Sequence, residues 1–152
     1  MKQLEWMLMQ TPVTEQDISR IESILERSLP EDFKAWLRRY NGAIPNPSEL
    51  LLPDGSIFDI NSFISFSEND TKENVLLLLD IYRDRLPAGL LPIADDGTGN
   101  YVCFRYGAGK TSPDIVLWFH EEADPSCAIM PIASSFTDLI QRIQNSDSGE
   151  AE

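Results

Sequence analysis

Cysteine, histidine, positive charge and long apolar runs are all scarce in this chain of 152 residues. Its two cysteines, Cys103 and Cys127, stand far apart, without the CxxC spacing of a zinc site or a dithiol redox centre. Cys103 lies in an alternating, strand-like run and reads as a small core residue; on sequence grounds a bridge to Cys127 stays open. The apolar stretches, such as residues 75–79, reach five residues. A membrane-spanning helix needs about 20. Residues 1–10 contain Lys2 and Glu5 and no extended apolar segment, so a signal peptide is not expected there. A cytoplasmic protein with reduced thiols is the expectation. Lysine and arginine total 12 against 25 aspartates and glutamates, a formal net charge of −13. Nucleic acid and anionic membranes require a basic face, so neither is an expected partner, whereas a basic protein surface is.

What is present is an ordinary globular composition, 42% apolar and 24% charged, on a length that suits one domain. The stretch that organises it is residues 29–42. Pro30 suits the start of a helix, Glu31 and Asp32 complement the positive end of its dipole, and Arg38 and Arg39 the negative end. Phe33, Trp36, Leu37 and Tyr40 make one apolar stripe, and Asn41-Gly42 suits a left-handed C-terminal cap. Before it, Thr14 and Asp17 have capping-box spacing, and Ile18, Ile21, Ile24 and Leu25 predict a helix over residues 15–27. Trp6, Leu8 and Met9 belong to an N-terminal arm, residues 1–13.

Asp54-Gly55 between apolar runs predicts a hairpin. A helix over residues 73–83, capped by Asp70 or Thr71, is apolar nearly all round at residues 75–79 and should be deeply packed or covered. Residues 90–94, 101–106 and 114–120 read as strands, the last apolar on both faces and therefore central. Residues 123–127 read as a loop and 129–132 as a brief edge pairing. Ser134 or Ser135 opens a last helix carrying Phe136, Leu139, Ile140 and Ile143. Residues 146–152 form a small-residue acidic tail, expected to be disordered. The fold class is α+β: a single domain over residues 14–145, with a mainly antiparallel sheet flanked by about four helices.

Three blocks in this order resemble the SUKH superfamily (the Smi/Knr-like domain), the group of immunity proteins that also includes fungal cell-wall-synthesis regulators. The first runs from Ile21-Glu22 through Leu29-Pro30 and Trp36-Leu37 to Asn41-Gly42. The second is Leu91-Pro92-Ile93-Ala94 with Asp95-Asp96-Gly97-Thr98-Gly99-Asn100-Tyr101. The third is Ile132-Ala133-Ser134-Ser135-Phe136 with Leu139. Ala43 stands where the family often has a second glycine. The resemblance implies a non-enzymatic protein-binding module, a bacterial immunity protein that binds a cognate protein toxin, with basic nuclease domains among the candidates. It carries over no functional residue. A regulatory scaffold of the same fold with a non-toxin partner is the alternative.

The remaining chemistry is thin. His120, before Glu121-Glu122, is the centre of the one hydrolase reading, but no second histidine or nucleophile motif accompanies it. The turn with Asp95, Asp96 and Asn100 lacks the spaced oxygens and closing glutamate of an EF-hand, and Gly97-Thr98-Gly99 lacks the Lys-Ser/Thr of a phosphate loop. No catalytic, cofactor or metal residue is assigned. The candidate partner-binding residues are Glu68, Asp70, Asp95, Asp96, Glu121, Glu122 and Asp124, loop carboxylates that would form a negative patch if the fold gathers them. A monomer or weak dimer is expected.

Overall fold

The computed structural model describes residues 4–107 and 112–148. Residues 149–152, most of the expected tail, lie outside the described residues. The N-terminal arm opens with β1 (Glu5–Met7), which pairs antiparallel with β2 (Ile44–Asn46). Trp6 anchors it, with its ring 5.1 Å from Trp36 and 5.5 Å from Phe63, while Leu8 and Met9 are exposed.

α1 (Glu15–Leu25) begins with the expected box: Asp17 N–H donates to Thr14 Oγ1 at 3.1 Å and Thr14 N–H to Asp17 Oδ2 at 3.0 Å. It ends two residues short of Arg27, because Glu26 turns left-handed at φ 54°. Ile18 and Ile21 are buried, but Ile24 is 52% exposed. At about 100° per residue, Ile24 sits roughly 90° from the centre of the stripe made by Ile18, Ile21 and Leu25. α2 (Glu31–Tyr40) follows, with Pro30 as its cap and Phe33, Trp36 and Leu37 buried. Phe33 is the hub of the core, 5.0–5.9 Å from the rings of Trp36, Phe66, Phe104 and Phe136. Gly42 takes φ +71° after the helix, and Gln10 lies so close that a Cβ there would meet its side chain at 2.4 Å. Asn41 is buried and ties three segments together: its amide donates to the Thr11 carbonyl and Ser65 Oγ, and its oxygen accepts from Phe66 N–H.

β3 (Glu49–Leu51) and β4 (Ile57–Asp59) form the hairpin that Asp54-Gly55 predicts. A five-stranded antiparallel sheet makes the centre, in chain order: β5 (Ser62–Phe63), β6 (Leu90–Asp95), β7 (Tyr101–Arg105), β8 (Asp114–Trp118) and β9 (Ile129–Ala133). Ile115, Val116 and Leu117 are fully buried, as a strand covered on both faces requires. Cys103 is buried and Cys127 exposed, and both are free thiols. Burial pushes the Cys103 thiol well above its ordinary pKa.

Five helices occur among the described residues, where about four are expected, because the second half of the stretch read as a loop at residues 123–127 enters a single turn, α4 (Pro125–Ala128), capped by Asp124. α3 (Val75–Ile81) is capped by Asn74 instead of Asp70 or Thr71, with Leu77 N–H donating to Asn74 Oδ1 at 3.1 Å. It packs on β6 with Val75 and Leu78 buried, leaving Leu77 40% and Ile81 69% exposed. α5 (Phe136–Ser148) lies against β3 and β9 and runs past the expected start of the tail. Its first turn is held to that of α2 by Asp32, which accepts from Thr137 N–H and Oγ1 at 3.0 and 2.8 Å.

Candidate functional site: an acidic cleft at one end of the sheet

The register of the sheet decides which acids meet. Ser62 pairs with Asp95, Asp95 with Tyr101, and Tyr101 with Trp118. The end of β6, the start of β7 and the end of β8 therefore share one edge of the molecule. The loops leaving it are residues 96–100 and 119–124, which carry four of the seven candidate carboxylates, and Asp95, at the end of β6, is a fifth at the same place.

Asp96 folds its own loop, accepting from the N–H and hydroxyl of Thr98 and from the N–H and side-chain amide of Asn100. Burial lifts its pKa, but those hydrogen bonds outweigh burial and hold it below the ordinary value. Asn100 in turn reaches the next loop, its Oδ1 lying 3.0 Å from His120 Nδ1 and accepting His120 N–H at 3.2 Å. His120 Nε2 is 3.8 Å from Glu121 Oε1. The imidazole packs over Gly99, whose φ is +101° and where a Cβ would come within 2.7 Å of the ring. His120 is thus a pin between two loops. Glu121 and Glu122 are exposed beside it, and Asp124 caps α4, accepting from Ser126 N–H at 3.0 Å.

Asp95 is the inward member of the group, 8% exposed, accepting from Asn61 Nδ2 at 3.1 Å and Gly97 N–H at 2.9 Å. It lines a cleft of about 310 Å³ together with Asn61, Ser62, Glu73, Tyr82 and Tyr101. Burial outweighs the two hydrogen bonds and lifts the Asp95 pKa, and the charge of Asp96 adds to the rise. Glu73 is lifted as well, by partial burial and by the charge of Asp95. Burial, with the neighbouring Tyr82 hydroxyl, holds the Tyr101 phenol protonated. The Tyr101 and Trp118 rings stack at 6.2 Å, and Tyr82 meets both edge-on at 5.6 Å.

Glu68 and Asp70 stand in the segment that leads into α3 and do not line this cleft. Asp70 lines a second cleft of about 370 Å³ that shares Ser62 and Glu73 with the first. Its carboxylate also binds within the molecule, accepting from Thr11 and from the Ser65 hydroxyl. Glu68 is half-exposed and pairs with Arg20 at 2.9 Å. The seven candidates therefore divide into a gathered set, Asp95, Asp96, Glu121, Glu122 and Asp124, and a flanking pair. Glu73, Asn61, Tyr82 and Tyr101 complete the cleft and were not among the seven candidate partner-binding residues. No metal-holding group of three or more His, Cys, Asp or Glu side chains occurs among the described residues. No helix among them is long and apolar enough to cross a membrane.

Residues 12–142 match the model of the SMI1 / KNR4 family (SUKH-1). The chain belongs to this family. A SUKH-1 assignment over that span takes in all three sequence blocks and the whole five-stranded sheet. The chain is also similar to the SPbeta prophage-derived uncharacterized protein YokK of Bacillus subtilis (strain 168). The identity is 24% over 144 residues, covering 84% of this chain and 72% of that protein. In this SUKH-1 chain the block residues 95–101 do structural work, turning β6 into β7, and at the same time form one wall of the cleft.

Proposed function

We propose that this SUKH-1 chain is an immunity protein that neutralises a cognate protein toxin by binding it directly. The observation that carries the reading is the gathering of Asp95 and four loop carboxylates at one end of the sheet, on a chain of net charge −13 that belongs to the SUKH-1 family. A negative surface of this kind attracts a basic partner from a distance and can raise its association rate by about 10–1,000-fold at low salt. Basic nuclease domains are the toxin class that fits. The similarity to a prophage-derived protein is compatible with the reading. The mechanism is occlusion: charge steers the encounter, and the complex covers the surface the toxin needs. His120 is held by Asn100 and beside Glu121, which suits a structural pin better than a general base. Co-expression with toxin domains encoded beside this gene tests the proposal. Survival of the cells together with a one-to-one complex is the expected result, and killing by every neighbouring toxin despite full expression is the contrary one.

A further inference from the structure

The cleft at the sheet end places two carboxylates from separate elements, Glu73 and Asp95, together on its wall. Neither forms an ion pair with a lysine or arginine among the described residues. Asp95 adds an observation of its own. The residue is only 8% exposed and both of its side-chain hydrogen bonds go to Oδ1, which leaves Oδ2 without a protein partner among the described residues and open to the cleft it lines. A carboxylate so largely covered, with only the cleft before its second oxygen and the exposed Glu73 nearby, keeps its charge at some cost, which a cation in the cleft would relieve. The pKa values of both acids lie above the ordinary range, the sign expected of that cost. Arg85 touches Tyr82, but from the ring face, 5.5 Å from its centroid, and it donates to the His120 carbonyl. Lys72 lines the neighbouring cleft, and no lysine or arginine among the described residues lines this one, so a cation there would come from outside.

We propose that this cleft receives one arginine or lysine side chain of the protein partner, held between the Glu73 and Asp95 carboxylates with its stem against Tyr82 and Tyr101. The assignment rests on the toxin-binding reading for who the partner is, and on the cleft alone for what chemistry it presents. A basic side chain fits better than a metal ion. Calcium takes six to eight oxygens, and the two carboxylates supply few of them.

The test titrates the full chain with N-acetyl-arginine-N-methylamide, with its lysine counterpart, and with the uncharged citrulline analogue, following backbone amides by NMR. The expected result is saturable shifts at Asn61, Gly97 and Gly99 with both charged probes, at a Kd of about 10 mM or tighter. Binding should weaken at least about tenfold for the citrulline analogue, and by a similar factor in Glu73→Gln and in Asp95→Asn, which keeps an Oδ1 acceptor. Four outcomes overturn the assignment: no saturation, shifts spread evenly over the acidic surface, affinity unchanged in both variants, or calcium chloride saturating the same amides more tightly than arginine. Toxin protection separates the two proposals. A cleft that binds arginine in a chain that protects against no toxin removes the immunity reading and keeps the site. Protection that survives both substitutions, with no probe binding, does the reverse.

Discussion

Asp95 carries its charge at a cost to folding. A folded pKa above the unfolded value means that the folded chain holds that proton more tightly than the unfolded chain does. Between the ordinary carboxylate range and the raised value, stability therefore falls as pH rises. Asp95→Asn keeps the acceptor for Asn61 and Gly97 and removes the charge. It should raise the melting temperature near pH 7 and lose that advantage at about pH 3, where the native carboxyl is protonated in both states; thermal melts at the two pH values decide it. Gly99 is constrained from two sides, by φ +101° and by the His120 ring. Gly99→Ala should cost about 1–3 kcal/mol. A His120→Ala background should recover the steric part of that loss but not the backbone part, which denaturant melts of the single and double variants would separate.

At the scale of elements, α3 divides its apolar residues between core and solvent. Leu78 is 6% exposed and Ile81 69%. Leu78→Ala should cost about 2–4 kcal/mol and Ile81→Ser within about 0.5 kcal/mol, read from urea midpoints. A helix buried all round would lose heavily at both. Features set by neighbours in the chain were legible in the sequence. The Thr14–Asp17 box, the Asp54-Gly55 hairpin, the central strand at residues 115–117 and the Ser135 cap, where Asp138 N–H donates to Ser135 Oγ at 3.0 Å, all need only a few adjacent residues. What could not be read depends on partners far along the chain. Ile81 is an apolar residue whose facing is set by what the helix meets, whereas the angle of Ile24 on its helix already placed it off the stripe. Asn41 links Thr11, Ser65 and Phe66 through hydrogen bonds that no periodicity announces. The site was legible to the same extent. The Asp95–Asn100 turn stood out by composition, but Glu73 and Tyr82 join it only through the Ser62–Asp95 pairing and the docking of α3 on β6.

Across the whole molecule, one aromatic core joins the arm, α2, the sheet and α5. Trp36 lies in it, 4.8 Å from Phe63 and 5.3 Å from Phe136, and its buried Nε1 has no hydrogen-bond partner among the described residues. Trp36→Ala should cost about 3–5 kcal/mol, a large share of the roughly 5–15 kcal/mol that holds such a domain together. Trp36→Phe should cost less than half of that, because the unpaired N–H leaves with the indole; equilibrium unfolding of both variants measures the difference. The net charge of −13 acts at the same scale, since it shapes the approach of a partner more than the fold. The claim on which everything functional depends is that this surface captures a basic toxin. The most direct measurement is the association rate of the purified chain with a toxin domain encoded beside its gene, followed at rising salt. The account predicts one-to-one binding whose association rate falls about tenfold or more between 50 and 500 mM salt, with dissociation far less affected. Absence of binding at low salt, or an association rate indifferent to salt, would contradict it.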